Sequence, residues 1–280
     1  MTVKDVLESH RTRRPVIAGI LNVTPDSFSD GGKFFKPEVA VDHAMAMAEQ
    51  GADVIDVGAE STRPGSERVD AAAQIERLRD VLPAIARRGA VISIDTTLAD
   101  VARFALDCGA GIINDISSGR DDAGMFALAA QRGCAIILMH MLGEPKTMQK
   151  EPQYSDVLAE VREFLARRVE AAVAVGVKRA NCIIDPGIGF GKRMEHNLSL
   201  LGGVDKLAEL GLPVMVGASR KRFIGEITAQ YDPAQRVCGT VAACLAAWYR
   251  GASIFRVHDV AEVSAAFKVA TAIEQSGKTR

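Results

Sequence analysis

The chain has 280 residues, a formal net charge of −1 and a hydrophobic content of 48%. This length is sufficient for a complete hydrophobic core, and the near-zero charge argues against nucleic-acid binding, which needs a basic field. The five cysteines include no C-x-x-C pair, which disfavours a disulfide framework or a structural zinc site and favours a reducing cytoplasm. The N-terminus lacks the apolar region of a signal peptide, and no segment has the roughly 18 consecutive apolar residues of a membrane span. We therefore expect a cytoplasmic protein that binds neither nucleic acid nor membrane.

Eight short apolar runs recur along the chain, each opened by small residues or a turn and followed by a polar residue. They lack a clean alternation of apolar and polar residues, which is typical of parallel strands covered on both faces. The predicted strands are 14–22, 51–58, 89–95, 109–115, 133–140, 180–187, 211–219 and 251–259.

Segments rich in Ala and Leu, with helical spacing, separate or follow the strands. The predicted helices are 37–50, 70–88, 98–107, 122–131, 155–175, 195–209, 233–250 and 259–276. Ser155 and Asp232 have the character of N-cap residues, the second because Pro233 follows it. Eight β–α units within about 250 residues predict an α/β protein with a single-domain (β/α)8 TIM barrel, preceded by an N-terminal extension at 1–13. An open doubly wound sheet is the main alternative, although no G-x-G-x-x-G follows the first strand.

Three connections that follow strands are long: 22–36, 58–69 and 140–153. The first two are rich in Gly, Pro, Ser and charge. Long loops in a compact domain tend to be functional, and the loops after the strands form the face on which barrels carry their active sites. We expect these loops to close over a bound substrate.

Polar residues follow every predicted strand, and each has an ordinary structural alternative when taken alone. Asp95 could cap a helix, Asp185 could belong to a turn, and His140 could be a buried structural histidine. Their joint placement instead predicts one pocket. The candidates are Asn22, Glu60 to Arg63, Asp95, Asn114, Asp115, His140, Asp185, Ser219 to Lys221, Arg256 and His258.

Asp95, Asn114 and Asp185 form a hydrogen-bonding set at three strand ends. Carboxylates accept paired donors, and an amide both donates and accepts, so the set suits the edge of a flat 2-amino-pyrimidinone. Such buried polar groups discriminate sharply because an incorrect ligand leaves them unpaired.

Basic residues follow the last two predicted strands, where barrels often bind phosphate. Arg256 and His258 alternate along one strand end and so point the same way, and Lys221 follows the preceding strand. A solvated basic rim is the alternative. Asn22, at the end of the first strand, could help hold Mg²⁺ on a phosphate group, because the phosphates would supply other ligands.

Several long motifs, in a fixed order, resemble those of the dihydropteroate synthase family over about 14–275. Ala59 stands where a second Gly is common, which replaces one small residue by another. The motifs are ILNVTPDSFSDGG (20–32), GAESTRPG (58–65), SIDT (93–96), INDIS (113–117), MHMLGEPKTMQ (139–149), DPGIGFGK (185–192), GASRKRFIG (217–225) and RVHD (256–259).

The resemblance implies a reaction between a 7,8-dihydropterin that carries a 6-hydroxymethyl pyrophosphate and the amine of p-aminobenzoate, with Mg²⁺ on the leaving group and a homodimeric enzyme. It assigns catalytic roles to Asp95, Lys221 and Arg63. The pterin would be held by Asp95, Asn114, Asp185 and Lys221. The pyrophosphate would be held by Asn22, Arg256 and His258. The p-aminobenzoate pocket would be formed by Phe28, Thr62, Pro64, Phe190 and Ser219. The metal ligands would be Asn22 and Asp30.

Two alternatives keep the pterin pocket and change the function. A methyl-tetrahydrofolate:corrinoid methyltransferase would share the Asp/Asn/Asp set, but the loop that begins at Asn22 and the SRK segment at 219–221 argue against it. A pterin-binding paralogue without turnover is the second alternative, and the intact Arg63 and Arg256 argue against that one.

Overall fold

The computed structural model describes residues 1–24, 36–61, 66–143, 148 and 151–276. Within these residues, eight parallel strands form one sheet that curls into a barrel. The strands are β1 (Val16–Asn22), β2 (Val54–Gly58), β3 (Val91–Asp95), β4 (Ile112–Asp115), β5 (Ala135–Met139), β6 (Cys182–Asp185), β7 (Met215–Val216) and β8 (Ile254–Val257).

The strand order is β6-β5-β4-β3-β2-β1-β8-β7, so the first and last predicted strands are neighbours. Val16 pairs with Ile254 across the β1–β8 boundary. A single bridge between Ile184 and Val214 joins β6 to the segment before β7, with the N–H of Ile184 donating to the carbonyl of Pro213 at 3.0 Å. The predicted barrel is therefore confirmed, and the open doubly wound sheet is wrong.

Two short helices precede β1, and the other helices follow the strands and cover the outside of the sheet. The helices are α1 (Val3–Leu7), α2 (Ser9–Thr12), α3 (Pro37–Gln50), α4 (Ala71–Leu78), α5 (Val81–Arg87), α6 (Ala99–Asp107), α7 (Met125–Arg132), α8 (Val157–Ala174), α9 (Met194–Gly202), α10 (Val204–Ala208), α11 (Arg222–Thr228), α12 (Val237–Tyr249) and α13 (Val260–Ser276).

Three long predicted helices are divided in the structure. Residues 70–88 form α4 and α5, because Pro83 has no N–H to donate to the preceding turn. Residues 195–209 divide at Gly203, and the first turn of 233–250 is a 3₁₀ helix, Pro233–Arg236, capped by Asp232 as predicted. The predicted cap Ser155 is wrong by one residue.

The cap of α8 is Asp156, whose carboxylate accepts from the N–H groups of Leu158 and Ala159, both at 3.0 Å. The N–H of Ser155 instead donates to Glu160 Oε1 at 2.8 Å. A carboxylate one residue later in the chain therefore takes the capping position, because it reaches two helix N–H groups.

Strand side chains alternate between two environments, as a strand requires. Residues such as Leu21 and Ile94 point outward and pack against the helices. Residues such as Ala18, Ile112 and Ile254 point into the barrel, where they form a second apolar layer at the start of the strands. Toward the ends of the strands the interior residues become polar, which places the functional groups at that end.

The N-terminal residues fold against the start of the strands. Val6 of α1 is buried and belongs to the apolar layer inside the barrel. The hydroxyl of Ser9 donates to Ser253 Oγ at 3.0 Å. The predicted extension at 1–13 thus contains two short helices that cover the end of the barrel opposite the polar residues. None of the helices among the described residues is long and apolar enough to cross a membrane.

Candidate active site

The polar side chains that face the interior lie at one level around the barrel. Asn22 pairs in register with Gly58, Gly58 with Asp95, and Asp95 with Asn114. Partners in a parallel register point to the same face, so these side chains share the pocket. Asp115 points the other way and accepts from Ser117 and Gly119, so it orders the following turn outside the pocket.

Arg256 crosses the barrel interior and joins two buried carboxylates. Its Nε donates to Asp56 Oδ2 at 2.5 Å, and a terminal nitrogen donates to Asp95 Oδ2 at 2.7 Å. The Arg256 side chain is only 20% exposed, so it is not a solvated rim residue. Burial raises the pKa of Asp95, Arg256 opposes the shift, and Asp56 adds to it. Asp95 does not cap the following helix; Asp122 accepts from the N–H of Ala99 instead.

Among the described residues, two buried side-chain atoms lack a hydrogen-bond partner, one on Ser93 and one on Asn114. Asn114 is the one that lies level with Asp95 at the strand ends. Its Nδ2 donates to the two oxygens of Asp56 at 3.4 and 3.2 Å. Its Oδ1 is buried and has no partner among the residues that the structure describes. A buried acceptor without a partner costs free energy unless a ligand satisfies it. Asn114 is therefore prepared to accept an N–H from a bound molecule.

Asp185 ends β6 and is nearly completely buried. Its Oδ1 accepts from the N–H of Gly187 at 2.6 Å, so the turn predicted as an alternative is also present. Gly187 has φ +68°, and a Cβ there would collide with the carbonyl oxygen of His140, so glycine is required. Burial raises the pKa of Asp185 to about 6, although Lys221 and Lys192 lower it.

Lys221 brings a cation to the same pocket. Its Nζ lies 4.3 Å from the centre of the Phe190 ring, in a cation–π contact. Burial, followed by the charge of Arg256, lowers the pKa of Lys221 to about 8, while Asp185 and Asp95 oppose the shift. The ammonium therefore carries its charge at neutral pH but gives it up more readily than an ordinary lysine.

Ser219 and His258 are hydrogen-bonded to one another. The N–H of His258 donates to Ser219 Oγ at 3.2 Å, and that oxygen lies 3.1 Å from His258 Nδ1. Burial, followed by Arg256, lowers the pKa of His258 to about 4, so the imidazole is neutral. A Ser219 hydroxyl that donates to Nδ1 would leave the ring hydrogen on Nε2, where it can be donated to an anion.

Arg220 lies between Ser219 and Lys221 in the chain and has an unusual backbone conformation. Its φ is +57°, in the left-handed region that favours glycine. Its N–H donates to Thr240 Oγ1 at 3.0 Å, and its carbonyl accepts from Arg236 at 2.9 Å. Its guanidinium makes a two-point ion pair with Asp259. These contacts fix the turn that presents Ser219 and Lys221.

Comparison with known proteins agrees with this arrangement. A family model described as pterin binding enzyme matches residues 18–258. A dihydropteroate synthase from Synechocystis sp. is 46% identical over 262 residues, which are 93% of this chain and 91% of that protein. The structure of Xanthomonas albilineans dihydropteroate synthase with 4-aminobenzoic acid is 45% identical, with a TM-score of 0.88, and 93% of each chain is covered.

A second structure of Xanthomonas albilineans dihydropteroate synthase, in complex with 7,8-dihydropteroate, has a TM-score of 0.84 at 42% identity, covering 93% of this chain and 94% of that chain. The chain belongs to the dihydropteroate synthase family. The family and the transferase activity predicted from the motifs are thereby confirmed.

Within this family member, the site residues that the resemblance assigns fall into two groups. Those that the structure describes come together at one end of the barrel: Asn22, Asp95, Asn114, Asp185, Phe190, Ser219, Lys221, Arg256 and His258. The remaining predicted residues lie outside the described residues: Phe28, Asp30, Thr62, Arg63 and Pro64.

One residue of this dihydropteroate synthase site was missed in the sequence. Asp56 is 1% exposed and accepts from both Arg256 and Asn114. The available signal was a single charge within the apolar run VIDVG, since an unpaired carboxylate is rarely placed in a buried strand. Its partners come from β4 and β8, far away in the chain, and only the barrel brings them together.

Proposed function

We propose that this protein condenses 6-hydroxymethyl-7,8-dihydropterin pyrophosphate with p-aminobenzoate, giving 7,8-dihydropteroate and pyrophosphate. The observation that carries the proposal is the set of Asp95, Asn114 and Asp185 in one buried pocket, with the Asn114 acceptor open to a ligand. This set matches the adjacent donors on the edge of a 2-amino-pyrimidinone.

In the proposed reaction the bond between the pterin methylene and the pyrophosphate oxygen breaks, and a bond from the methylene to the arylamine nitrogen forms. The amine loses one proton, and pyrophosphate leaves with the bonding electron pair. Asp95 faces the pocket beside Arg256, where its negative charge would favour positive charge on the methylene. The long loops would exclude water, which would otherwise capture the methylene as the alcohol.

The anion would be held at the junction of β8 and β1. Arg256 and the Nε2–H of His258 are the proposed donors. Arg256 pairs in register with Ala18 of β1, and Asn22 lies at the end of that same strand. Because Arg256 already binds two carboxylates, we propose that it acts mainly by neutralising the pocket and by reaching the substrate when Asp95 turns to the pterin.

The proposed cofactor is Mg²⁺, with Asn22 as one ligand and Asp30, outside the described residues, as another. The described residues contain no cluster of three His, Cys, Asp or Glu side chains able to enclose a metal. Asn22 and Asp30 alone supply few ligands, which suits a Mg²⁺ ion whose other ligands are phosphate oxygens. When bound, the ion would offset charge on the leaving pyrophosphate.

Phe190 and Ser219 are the described residues that we propose for p-aminobenzoate. The ring of Phe190 presents one face to the Lys221 ammonium. Ser219 lies two residues before Lys221, in the turn after β7. An aromatic ring between them would stack on Phe190 while its carboxylate approaches Ser219.

We also propose a homodimer in the cytoplasm. All five cysteines lie within the described residues and are free, which suits a reducing compartment. Cys244 and Trp248 of α12 are buried, whereas Tyr249 at its end is 47% exposed. Sedimentation velocity of the purified protein would give one species of twice the chain mass; a monomer at all concentrations would contradict the proposal.

The activity is tested by incubating the protein with the pterin pyrophosphate, Mg²⁺ and p-aminobenzoate and measuring dihydropteroate by chromatography. We expect product, and we expect Asp185→Ala to lose pterin binding in calorimetry. Pterin binding without product would favour the paralogue that lacks turnover, and unchanged pterin affinity in Asp185→Ala would contradict the role of that residue. The corrinoid methyltransferase is not proposed further, since the relatives described above are dihydropteroate synthases.

A further inference from the structure

Lys192 is a buried lysine outside the set of residues assigned to substrates. It ends the loop after β6 and is only 3% exposed, although lysine is rarely buried without partners. Its Nζ lies 3.0 Å from His140 Nδ1, 3.3 Å from the carbonyl oxygen of His140 and 2.9 Å from the carbonyl oxygen of Phe190. These three acceptors use all three hydrogens of an ammonium group.

His140 is suited to accept from this ammonium. Burial, followed by the charges of Lys192 and Arg120, lowers the pKa of His140 to about 3, so the ring is neutral. Its ring packs edge-on against Phe164, with the centroids 4.9 Å apart. Nδ1 therefore presents a lone pair to Lys192, and the ring cannot turn away without losing its packing.

Burying the ammonium of Lys192 costs free energy of folding, so a contribution to stability does not explain why a lysine is present. Burial lowers the pKa of Lys192 to about 7, and Lys221 lowers it further while Asp185 raises it. An apolar side chain of similar length would fill the same space without that desolvation. The contacts of Lys192 instead indicate that it holds neighbouring groups in position.

What Lys192 fixes is the carbonyl of Phe190. The N–H of Phe190 donates to the carbonyl of Gly187 at 3.0 Å, and the ammonium of Lys192 binds the carbonyl of Phe190. Both peptide groups of Phe190 are thereby held. The same ammonium binds His140, which is anchored to β6 by its N–H bond to the carbonyl of Asp185 at 3.0 Å.

We infer that Lys192, paired with His140, is a positioning residue for the arylamine half of the site, because it holds the ring of Phe190 beneath Lys221. This inference rests on the proposed function of Phe190 in binding p-aminobenzoate. Asp185 is oriented separately, by the strand and by the N–H of Gly187, so Lys192 acts on the pterin half through its charge, which lowers the pKa of Asp185, and not through a contact.

The test is Lys192→Met in the full-length enzyme, with both substrates titrated. We expect the KM for p-aminobenzoate to rise about tenfold, the loss typical of one hydrogen bond to a charged group, while the Kd of the pterin pyrophosphate in calorimetry changes less than about threefold. Equal weakening for both substrates, or no change for p-aminobenzoate, would overturn the inference.

His140 supplies a matched pair of variants. His140→Asn keeps an acceptor near the position of Nδ1, whereas His140→Leu removes it, and both remove the ring. We expect His140→Leu to reproduce the p-aminobenzoate defect of Lys192→Met and His140→Asn to restore most of the affinity. If circular dichroism shows Lys192→Met to be unfolded, this pair decides the question: equal KM values for the two His140 variants overturn the inference.

Phe190→Ala distinguishes a failure of the inference about Lys192 from a failure of the proposed p-aminobenzoate site. If Phe190→Ala raises the KM for p-aminobenzoate and Lys192→Met does not, the inference fails and the proposed pocket stands. If Phe190→Ala leaves that KM unchanged, the proposed role of Phe190 is wrong, and the inference fails with it.

Discussion

Arg256 and the carboxylates of Asp56 and Asp95 form a buried network of three charged groups inside the barrel. Two carboxylates around one guanidinium leave a net negative charge, and both acids are almost fully buried. A buried ion network of this kind adds little net stability but is very sensitive to the loss of one member. Its value here is that it fixes Asp95 and Asn114 in the orientation that the proposed pterin site requires.

Asp56→Ala should therefore be costly. It leaves Arg256 with one carboxylate and removes the acceptor of the Asn114 amide. We expect the free energy of unfolding in urea to fall by about 3 kcal/mol and pterin affinity to fall with it. Asp56→Asn is the control, because its Oδ1 can still accept from Arg256, and it should lose less. A cost below about 1 kcal/mol for Asp56→Ala would contradict the role of the network.

The pKa values of Asp185 and Lys221 predict a window of pH for pterin binding. The Asp185 pKa is raised to about 6, so the carboxylate that accepts paired donors forms only above that pH. The Lys221 pKa is lowered to about 8, so the cation is lost above that pH. The affinity for a pterin without phosphate should rise through pH 6 and fall through pH 8.

Calorimetry across the neutral range measures both limbs, and a pterin without phosphate avoids titration of the ligand's own phosphates. Asp185→Asn should remove the part of the acid limb near pH 6 and leave the part due to Asp95, whose pKa burial raises to about 7. Lys221→Met should remove the alkaline limb, because it removes the titrating cation. A flat profile in the unsubstituted enzyme would show that these two charges do not control binding.

The polar residues of the site were largely predictable, because they stand at strand ends and the interior face repeats every second residue. Asp95, Asn114 and Asp185 were predicted from their place at strand ends. The same pattern also selected Asp115, whose side chain points outside the pocket. The pairing of Arg256 with Asp56 and Asp95 was not predictable, since it depends on how far a long side chain reaches across the closed barrel. The partnership of Lys192 with His140 has the same origin, because it joins the segments after β5 and β6.

At the level of elements, the connection from β7 to α11 carries two residues of the proposed substrate site, Ser219 and Lys221, on one strained turn. Arg220 stays at φ +57° because its backbone and its guanidinium are both held, the latter by Asp259 at the start of α13. A strained residue persists where its surroundings determine its conformation, and such residues often lie in binding sites. The turn thus couples Ser219 and Lys221 to the end of β8.

Asp259→Ala should release this turn. Without the ion pair, Arg220 can return to negative φ, and Ser219 and Lys221 would move together. We expect kcat/KM to fall about tenfold or more, since small displacements of positioning groups are costly. Glu226→Ala is the control, because it removes an exposed pair with Arg222 in α11 and should change kcat/KM less than about twofold. Normal kcat/KM in Asp259→Ala would show that the turn holds itself.

Element positions were predictable where the chain repeats its pattern and not where single residues interrupt it. Strand 211–219 was predicted from its apolar run, but β7 has two residues, because Pro213 cannot donate to a neighbouring strand. Pro83 and Gly203 likewise divide two segments that the hydrophobic spacing predicted as continuous helices. The helices α1 and α2 were absent from the prediction because they are too short for periodicity to register.

For the whole molecule, the order of the strands determines which residues can share a ligand. Closure places β8 beside β1, so Arg256 and Asn22 belong to neighbouring strands although 233 residues lie between them. In an open sheet they would lie at opposite edges. The proposed pyrophosphate site therefore depends on closure, whereas the pterin set on β3, β4 and β6 depends on it less.

Residues that stabilise the barrel and residues of the proposed substrate site lie at opposite ends of its axis. Val6 of α1 is 1% exposed and packs in the apolar layer at the start of the strands, whereas the substrate residues lie at their ends. Val6→Ala should lower the free energy of unfolding by about 2 kcal/mol, from two lost methyl groups and the space they leave. The Kd for pterin should stay within about twofold, because no strand end moves. Val39→Ala, at a 45% exposed position in the first turn of α3, is the control and should change stability by less than about 0.5 kcal/mol. Urea unfolding and calorimetry on the same samples measure both quantities, and a parallel loss of pterin affinity in Val6→Ala would show that packing at the base of the barrel sets the geometry of the site.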